Sequence, residues 1–154
     1  MRTAVATAYL LALAVWLGTI VFHSFVVAPA LFRTLPQTTA GDVVSRIFPA
    51  YYMVGYVCGA VAVAAPWYLT LSAPGEPSWR WASTIAAIML ALTLVAGVVI
   101  HPRAAALRRE LPAAAADAPV RKQFRQLHQM AVVANLLVLT SGLGLVVVVA
   151  RQLR

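Results

Sequence analysis

The chain has 154 residues, of which 62% are hydrophobic and only 10% are charged, and its mean hydropathy is +0.85. A soluble domain is typically about a quarter charged, and a water-soluble fold of this size leaves much of its surface exposed. The composition therefore excludes a soluble domain and predicts an integral membrane protein. The net charge of +8 does not indicate nucleic-acid binding, because the basic residues flank apolar runs, where they meet lipid headgroups.

Four apolar runs follow one another along the chain, and each exceeds or approaches the roughly 20 helical residues that a bilayer core requires. They cover residues 4–32, 48–73, 81–100 and 130–150. The sequence predicts an all-α fold, a bundle of four transmembrane helices that forms a single domain over residues 1–154. The first run begins like a signal peptide, but it is about twice as long as a signal's apolar core, so we interpret it as a retained span.

Prolines mark the connections between the spans. Pro36 and Pro49 enclose a mixed apolar and polar stretch, which predicts a short interfacial helix at about residues 40–47 in the first cytoplasmic connection. Residues 72–79 are rich in Pro and Gly and predict a tight turn between the second and third spans. After the third span, a helix is expected to continue as far as Pro112.

Lys and Arg are unevenly divided between the two sides of the membrane. The connections after the first and third spans hold eight of the twelve basic residues, and the other side holds Arg2, Arg80, Arg151 and Arg154. Because positive charge is retained on the cytoplasmic side, we expect a multi-pass protein of the cell membrane with both termini outside. The bilayer, with anionic headgroups at the cytoplasmic connections, is the expected partner.

Small residues spaced four apart allow close approach of helices in lipid. Gly55 and Gly59 have this spacing in the second span, and Ala14 and Gly18 have it in the first. Such faces predict a compact bundle. They could equally serve a homodimer, so a homo-oligomer is an open alternative.

Polar side chains inside the apolar runs are the candidates for function. His128 and Asn135 are seven residues apart and share a helix face, which should point into the bundle because polar groups facing lipid are costly. All three histidines, His23, His101 and His128, fall at the cytoplasmic level of their spans. The other side chains expected at that level or in the polar interior of the bundle are Asn135, Tyr51, Tyr52, Arg33 and Arg103.

These polar residues have a structural and a functional interpretation. They could be interfacial anchors and interhelical hydrogen bonds, worth about 0.6 kcal/mol each. Alternatively, His128 could bind haem or a metal with His23 or His101 as second ligand, since neutral imidazole is the commonest metal ligand. A third interpretation is a polar vestibule for a transported ion or solute. We expect His128 to contact residues near Tyr51 or His101 in the folded bundle and not to face lipid.

Four pieces of the chain, in order, resemble the transmembrane protein 205-like family of small four-span proteins. They are Trp16 and Gly18 with ALFRTLP (30–36), IFPAYY (47–52) with Gly55, then His101-Pro102-Arg103, then Phe124 with His128 and Asn135. The resemblance covers all four spans and implies His128 and Asn135 as the shared polar pair. His23 has no counterpart in the family's pattern, and an acidic residue can occur at the position of His101.

What the resemblance implies about function is a loose association with the handling of platinum drugs. The architecture is also distantly similar to four-span copper-resistance and protoporphyrinogen-oxidase-like families. We therefore predict a non-enzymatic membrane protein in export of, or resistance to, a metal or small molecule, or an accessory subunit. The alternative is a haem- or metal-binding membrane protein, or an oxidoreductase built on that haem, that uses His128 with His23 or His101.

Overall fold

The computed structural model describes residues 1–72, 77–111 and 118–152. Two π-helical segments, π1 (His23–Val27) and π2 (Val95–Ile100), interrupt the α-helices. No strand occurs in these three ranges. The α-helices, in chain order, are α1 (Arg2–Phe22), α2 (Ala28–Thr34), α3 (Gln37–Ser72), α4 (Pro77–Leu94), α5 (His101–Glu110) and α6 (Pro119–Gln152).

The helices join end to end into four long rods. In the described residues, the stretches Arg2–Thr34, Gln37–Ser72, Ser78–Glu110 and Pro119–Ala150 are each long and apolar enough to cross a membrane. The predicted bundle of four apolar helices is therefore confirmed. Each rod has 32 to 36 residues, which is about 50 Å of helix. Because the bilayer core is only about 30 Å thick, the rods extend well beyond the apolar layer.

The stretch predicted as an interfacial helix is helical, but it is not a separate element. Residues 40–47 form early turns of α3, which continues through Pro49 and Pro66. Proline lacks an N–H, so Pro49 leaves the Ser45 carbonyl without its donor four residues ahead. The predicted turn at 72–79 falls mainly on residues 73–76, which lie outside the described residues. The predicted break at Pro112 lies outside them as well.

Arg108 of α5 ties the first turns of α3 to the bundle. Its Nε donates to Oδ1 of Asp42 at 3.1 Å, and its Nη2 donates to the Thr38 carbonyl at 2.8 Å. A β-carbon at Gly41 would collide with the same guanidinium group. The absence of a side chain at Gly41 therefore leaves room for the Arg108 guanidinium against the start of α3.

The core lies between the rods and combines large rings with small residues. α3 packs against both α1 and α4, and α6 packs against α4, α5 and α1. A β-carbon at Gly59 would lie 3.0 Å from Cη2 of Trp16, so the predicted Gly55–Gly59 face does allow close approach. The predicted Ala14–Gly18 face is wrong for packing within the bundle, because both residues are exposed. The buried core includes Tyr9, Leu13, Trp16, Ala62, Ala86, Met89 and Leu145.

Candidate functional site

One face of α3 carries three aromatic residues at the level where the histidines were expected. Phe48, Tyr51 and Tyr52 follow the spacing i, i+3, i+4, which places their rings together on one side of a helix. His23 reaches this face from π1, and His101 reaches it from the start of α5. We call these five side chains the aromatic–histidine cluster.

Phe48 is the common contact of the two histidines. Its ring centroid lies 5.3 Å from that of His23 and 5.2 Å from that of His101. Tyr51 lies 5.0 Å from His23, and Tyr52 lies 5.8 Å from His101. These separations are in the range of favourable aromatic pairs, about 4.5 to 7 Å between centroids. Phe48 was not among the predicted site residues, although its spacing from the two tyrosines is visible in IFPAYY.

Both histidines lie at widened helical turns. The Ala28 N–H bonds to the His23 carbonyl, and the His101 N–H bonds to the Ala96 carbonyl, so each bond spans five residues instead of four. A proline follows each of these turns, at positions 29 and 102. A proline ring crowds the carbonyl four residues before it, and we attribute the wider turns to this crowding. Single π-turns of this kind are frequent at functional sites.

His101 has a ring nitrogen that is buried and unpaired in the described part of the chain. The ring lies against the main-chain carbonyl of Ser45, the group that Pro49 leaves without a helical donor. Its Nε2 is buried and has no hydrogen-bond partner in the described part of the chain. A neutral imidazole has one donor and one acceptor. The buried Nε2 is therefore left unsatisfied by the described residues.

Asn135 connects the fourth rod to the cluster. The Tyr51 hydroxyl donates to Oδ1 of Asn135 at 3.0 Å. Tyr51 and Tyr52 are buried, and Asn135 is half-buried. All three therefore lie in the bundle interior, where the sequence placed them. With this bond, side chains of all four rods meet at one level.

Three predicted site residues lie elsewhere. His128 is exposed, and its ring stacks on that of Phe124 with centroids 6.4 Å apart. Among the ring contacts of the described residues, His128 has none with Tyr51 or His101, although α6 does pack against α5, which begins at His101. Arg33 and Arg103, expected in the polar interior, are both exposed. Long basic side chains near helix ends keep their charge in water.

The three candidate histidines do not converge on a metal site. His23 and His101 share Phe48, but no ring contact joins them to each other in the ranges that the structure describes. Across those ranges, no group of three or more His, Cys, Asp or Glu side chains could hold a metal ion. Cys58 is buried as a free thiol, seven residues beyond Tyr51.

Comparison with known proteins supplies a family. Residues 11–113, about two thirds of the chain, match the family described as Domain of unknown function (DUF4149), and this match includes the five residues of the cluster. An uncharacterized protein of Aquifex aeolicus (strain VF5) is 26% identical over 136 residues, 88% of this chain and 89% of its own length. No solved structure matches the chain. Neither match supports the specific resemblance to the transmembrane protein 205-like family. The family match covers most of the helical bundle, and the chain belongs to the DUF4149 family.

Proposed function

We propose that this protein is a non-enzymatic membrane protein that binds a small molecule at the aromatic–histidine cluster and takes part in its export or in resistance to it. One observation carries this proposal: the buried, unpaired Nε2 of His101 beside the rings of Phe48 and Tyr52. The choice of export or resistance, over an accessory subunit, follows the resemblance noted in the sequence.

The energetics of His101 favour a ligand that can hydrogen-bond to Nε2. An unsatisfied buried polar atom costs about 1 to 3 kcal/mol, and a bound N–H or O–H group would offset that cost. The surrounding rings have electron-rich faces that attract cations and pack well on flat molecules. A planar organic cation with amino groups therefore matches the chemistry of the cluster better than a bare metal ion does.

The proposed orientation puts the cluster at the cytoplasmic end of the bundle. Arg33, Arg103 and Lys122 lie at this end and are exposed, as expected for side chains that meet anionic headgroups. The Arg108–Asp42 contact also belongs to this end. A solute would then enter the cluster from the cytoplasmic leaflet or from the cytoplasm.

Ethidium is a suitable probe, because it is planar, cationic and bears amino donors, and its fluorescence reports binding. The purified chain in detergent should bind ethidium, and His101→Phe should weaken binding about 5- to 150-fold, the range that corresponds to 1 to 3 kcal/mol. His128→Phe is the matched control, since the same substitution is made at an exposed histidine. Absence of binding by the wild-type chain, or equal binding by both variants, would contradict the proposal.

A second candidate function, haem or metal binding, depends on the same Nε2 atom. One imidazole nitrogen could hold a haem iron, and His23 is a predicted second ligand. The described residues do not gather three ligating side chains, so a metal site built from protein ligands alone does not fit. The optical spectrum of the purified protein decides this point. A Soret band that His101→Phe removes and His128→Phe retains would favour haem.

A further inference from the structure

An open groove of about 600 Å³ lies between the third and fourth rods. One wall is formed by Leu92, Val95 and Ile100, so the groove follows the widened turns of π2. The other wall is the stretch of α6 between Gln126 and Leu137. The groove is separate from the aromatic–histidine cluster, because none of the five cluster side chains lines it.

The groove is apolar along most of its length and polar at one end. Its two polar lining residues are Gln126 and Gln129, at the end of the groove nearest the start of α6. From there to Leu137 the α6 wall is Met130, Val133 and Ala134. An occupant must therefore have a long apolar part and a polar group at the glutamine end.

The length of the groove distinguishes between two apolar occupants. Eleven residues separate Gln126 from Leu137, and at 1.5 Å per residue this is about 16 Å of helix. One leaflet supplies half of a hydrocarbon core about 30 Å thick, or roughly 15 Å. A lipid tail matches this depth, whereas a transmembrane helix of a second copy would run along the whole core.

Positive charge stands at the glutamine end on both walls. Lys122 lies four residues before Gln126, on the same face of α6, and Arg103 lies three residues after Ile100. Both are exposed, and no acidic side chain of the described ranges pairs with Lys122. A phosphate at this position would meet two cations and the donor amides of Gln126 and Gln129.

We propose that this groove binds an anionic phospholipid, with an acyl chain along Val95 and Val133 and the phosphate at Lys122 and Arg103. The lipid belongs to the leaflet at the cluster end of the bundle. This proposal does not rest on the small-molecule function, because the groove and the cluster share no residue.

Native mass spectrometry of the delipidated full chain tests the headgroup. Phosphatidylglycerol and phosphatidylcholine with identical acyl chains are added separately, and the lipid-bound fraction is measured. We expect tighter binding of phosphatidylglycerol, and Lys122→Gln should weaken that binding about fivefold, as expected for one basic residue near a lipid surface. Arg80→Gln is the control, since Arg80 is also exposed but lies at the start of the third rod, far from the glutamine end of the groove. Equal effects of the two substitutions would overturn the phosphate assignment.

The neighbours Val132 and Val133 test the acyl chain. Both are exposed, at 44% and 55%, but only Val133 lines the groove. Val133→Trp should fill the groove and abolish retention of both lipids, whereas Val132→Trp should leave retention unchanged. Equal retention by the two variants would contradict the proposal. So would a dimer of the wild-type chain that Val133→Trp dissociates, because the groove would then hold a second copy.

Discussion

Toward the chain termini, the bundle packs α-helices around Tyr9, Leu13 and Trp16. At the opposite end, three of the four rods carry a proline at the level of the cluster, at positions 29, 49 and 102, and two of these three rods contain a π-turn. The same end holds the His101–Ser45 contact and the Tyr51–Asn135 hydrogen bond. The two π-turns therefore lie at the same end as the Tyr51–Asn135 hydrogen bond.

The difference shows two ways of holding helices together in lipid. Apolar faces gain little by leaving lipid for another helix. The end toward the chain termini therefore depends on close packing at small residues, such as Gly59 beneath Trp16. A proline releases a main-chain carbonyl that needs a new donor, and in a membrane only a neighbouring group can supply it. At the cluster end, His101 lies against such a carbonyl. The His101–Ser45 contact is thus a consequence of Pro49 as well as a candidate for function.

The largest expected effect concerns which end faces the cytoplasm. Eight of twelve basic residues lie in the connections at the cluster end, so alkaline phosphatase fused after Arg154 should be fully active outside the cytoplasm. Fusion after Glu110, in the connection between α5 and α6, should give an inactive enzyme. The reverse pattern would move the cluster to the outer leaflet.

The next effect measures how tightly the cluster end is packed. A methyl group at Gly97 would overlap the Tyr56 hydroxyl and lie 2.7 Å from Cγ of Tyr52, which is the rigid base of a buried ring. Gly97→Ala should therefore lower the free energy of unfolding in detergent by about 1 to 3 kcal/mol. Gly144→Ala is the control, because no atom of the described residues, apart from the backbone of its own helix, lies within 4 Å of its β-carbon position. It should stabilise the helix by up to about 1 kcal/mol, and equal changes in both variants would refute tight packing at Gly97.

The smallest expected effect is the coupling between Tyr51 and Asn135. A double-mutant cycle of Tyr51→Phe and Asn135→Leu should give an interaction free energy of about 0.6 kcal/mol, and at most about 1.7. Thermal or denaturant unfolding of the four proteins measures it. If the single variants keep their stability but lose ethidium binding, Asn135 lines a functional cavity rather than joining helices. A coupling of zero with unchanged binding would remove both roles.

The sequence determined the features that depend on local composition. The length of each apolar run is enough to predict a membrane-crossing helix, and the four apolar rods agree with the four predicted spans. The helical character of residues 40–47 and the shared level of His23 and His101 were also visible in the sequence. The sequence also predicted that Pro49 and Pro102 each leave a carbonyl without its helical donor, since a proline inside a helix always releases one.

Only the tertiary structure decided which residues meet. Gly55–Gly59 and Ala14–Gly18 have the same spacing, yet one pair lies under Trp16 and the other is exposed. His101 joins the cluster while His128 stacks on Phe124 outside it. Spacing along one helix determines which side chains share a face, but not which way that face turns or how far the rod extends past its neighbours. Those two quantities depend on the packing of all four rods, which no single span encodes.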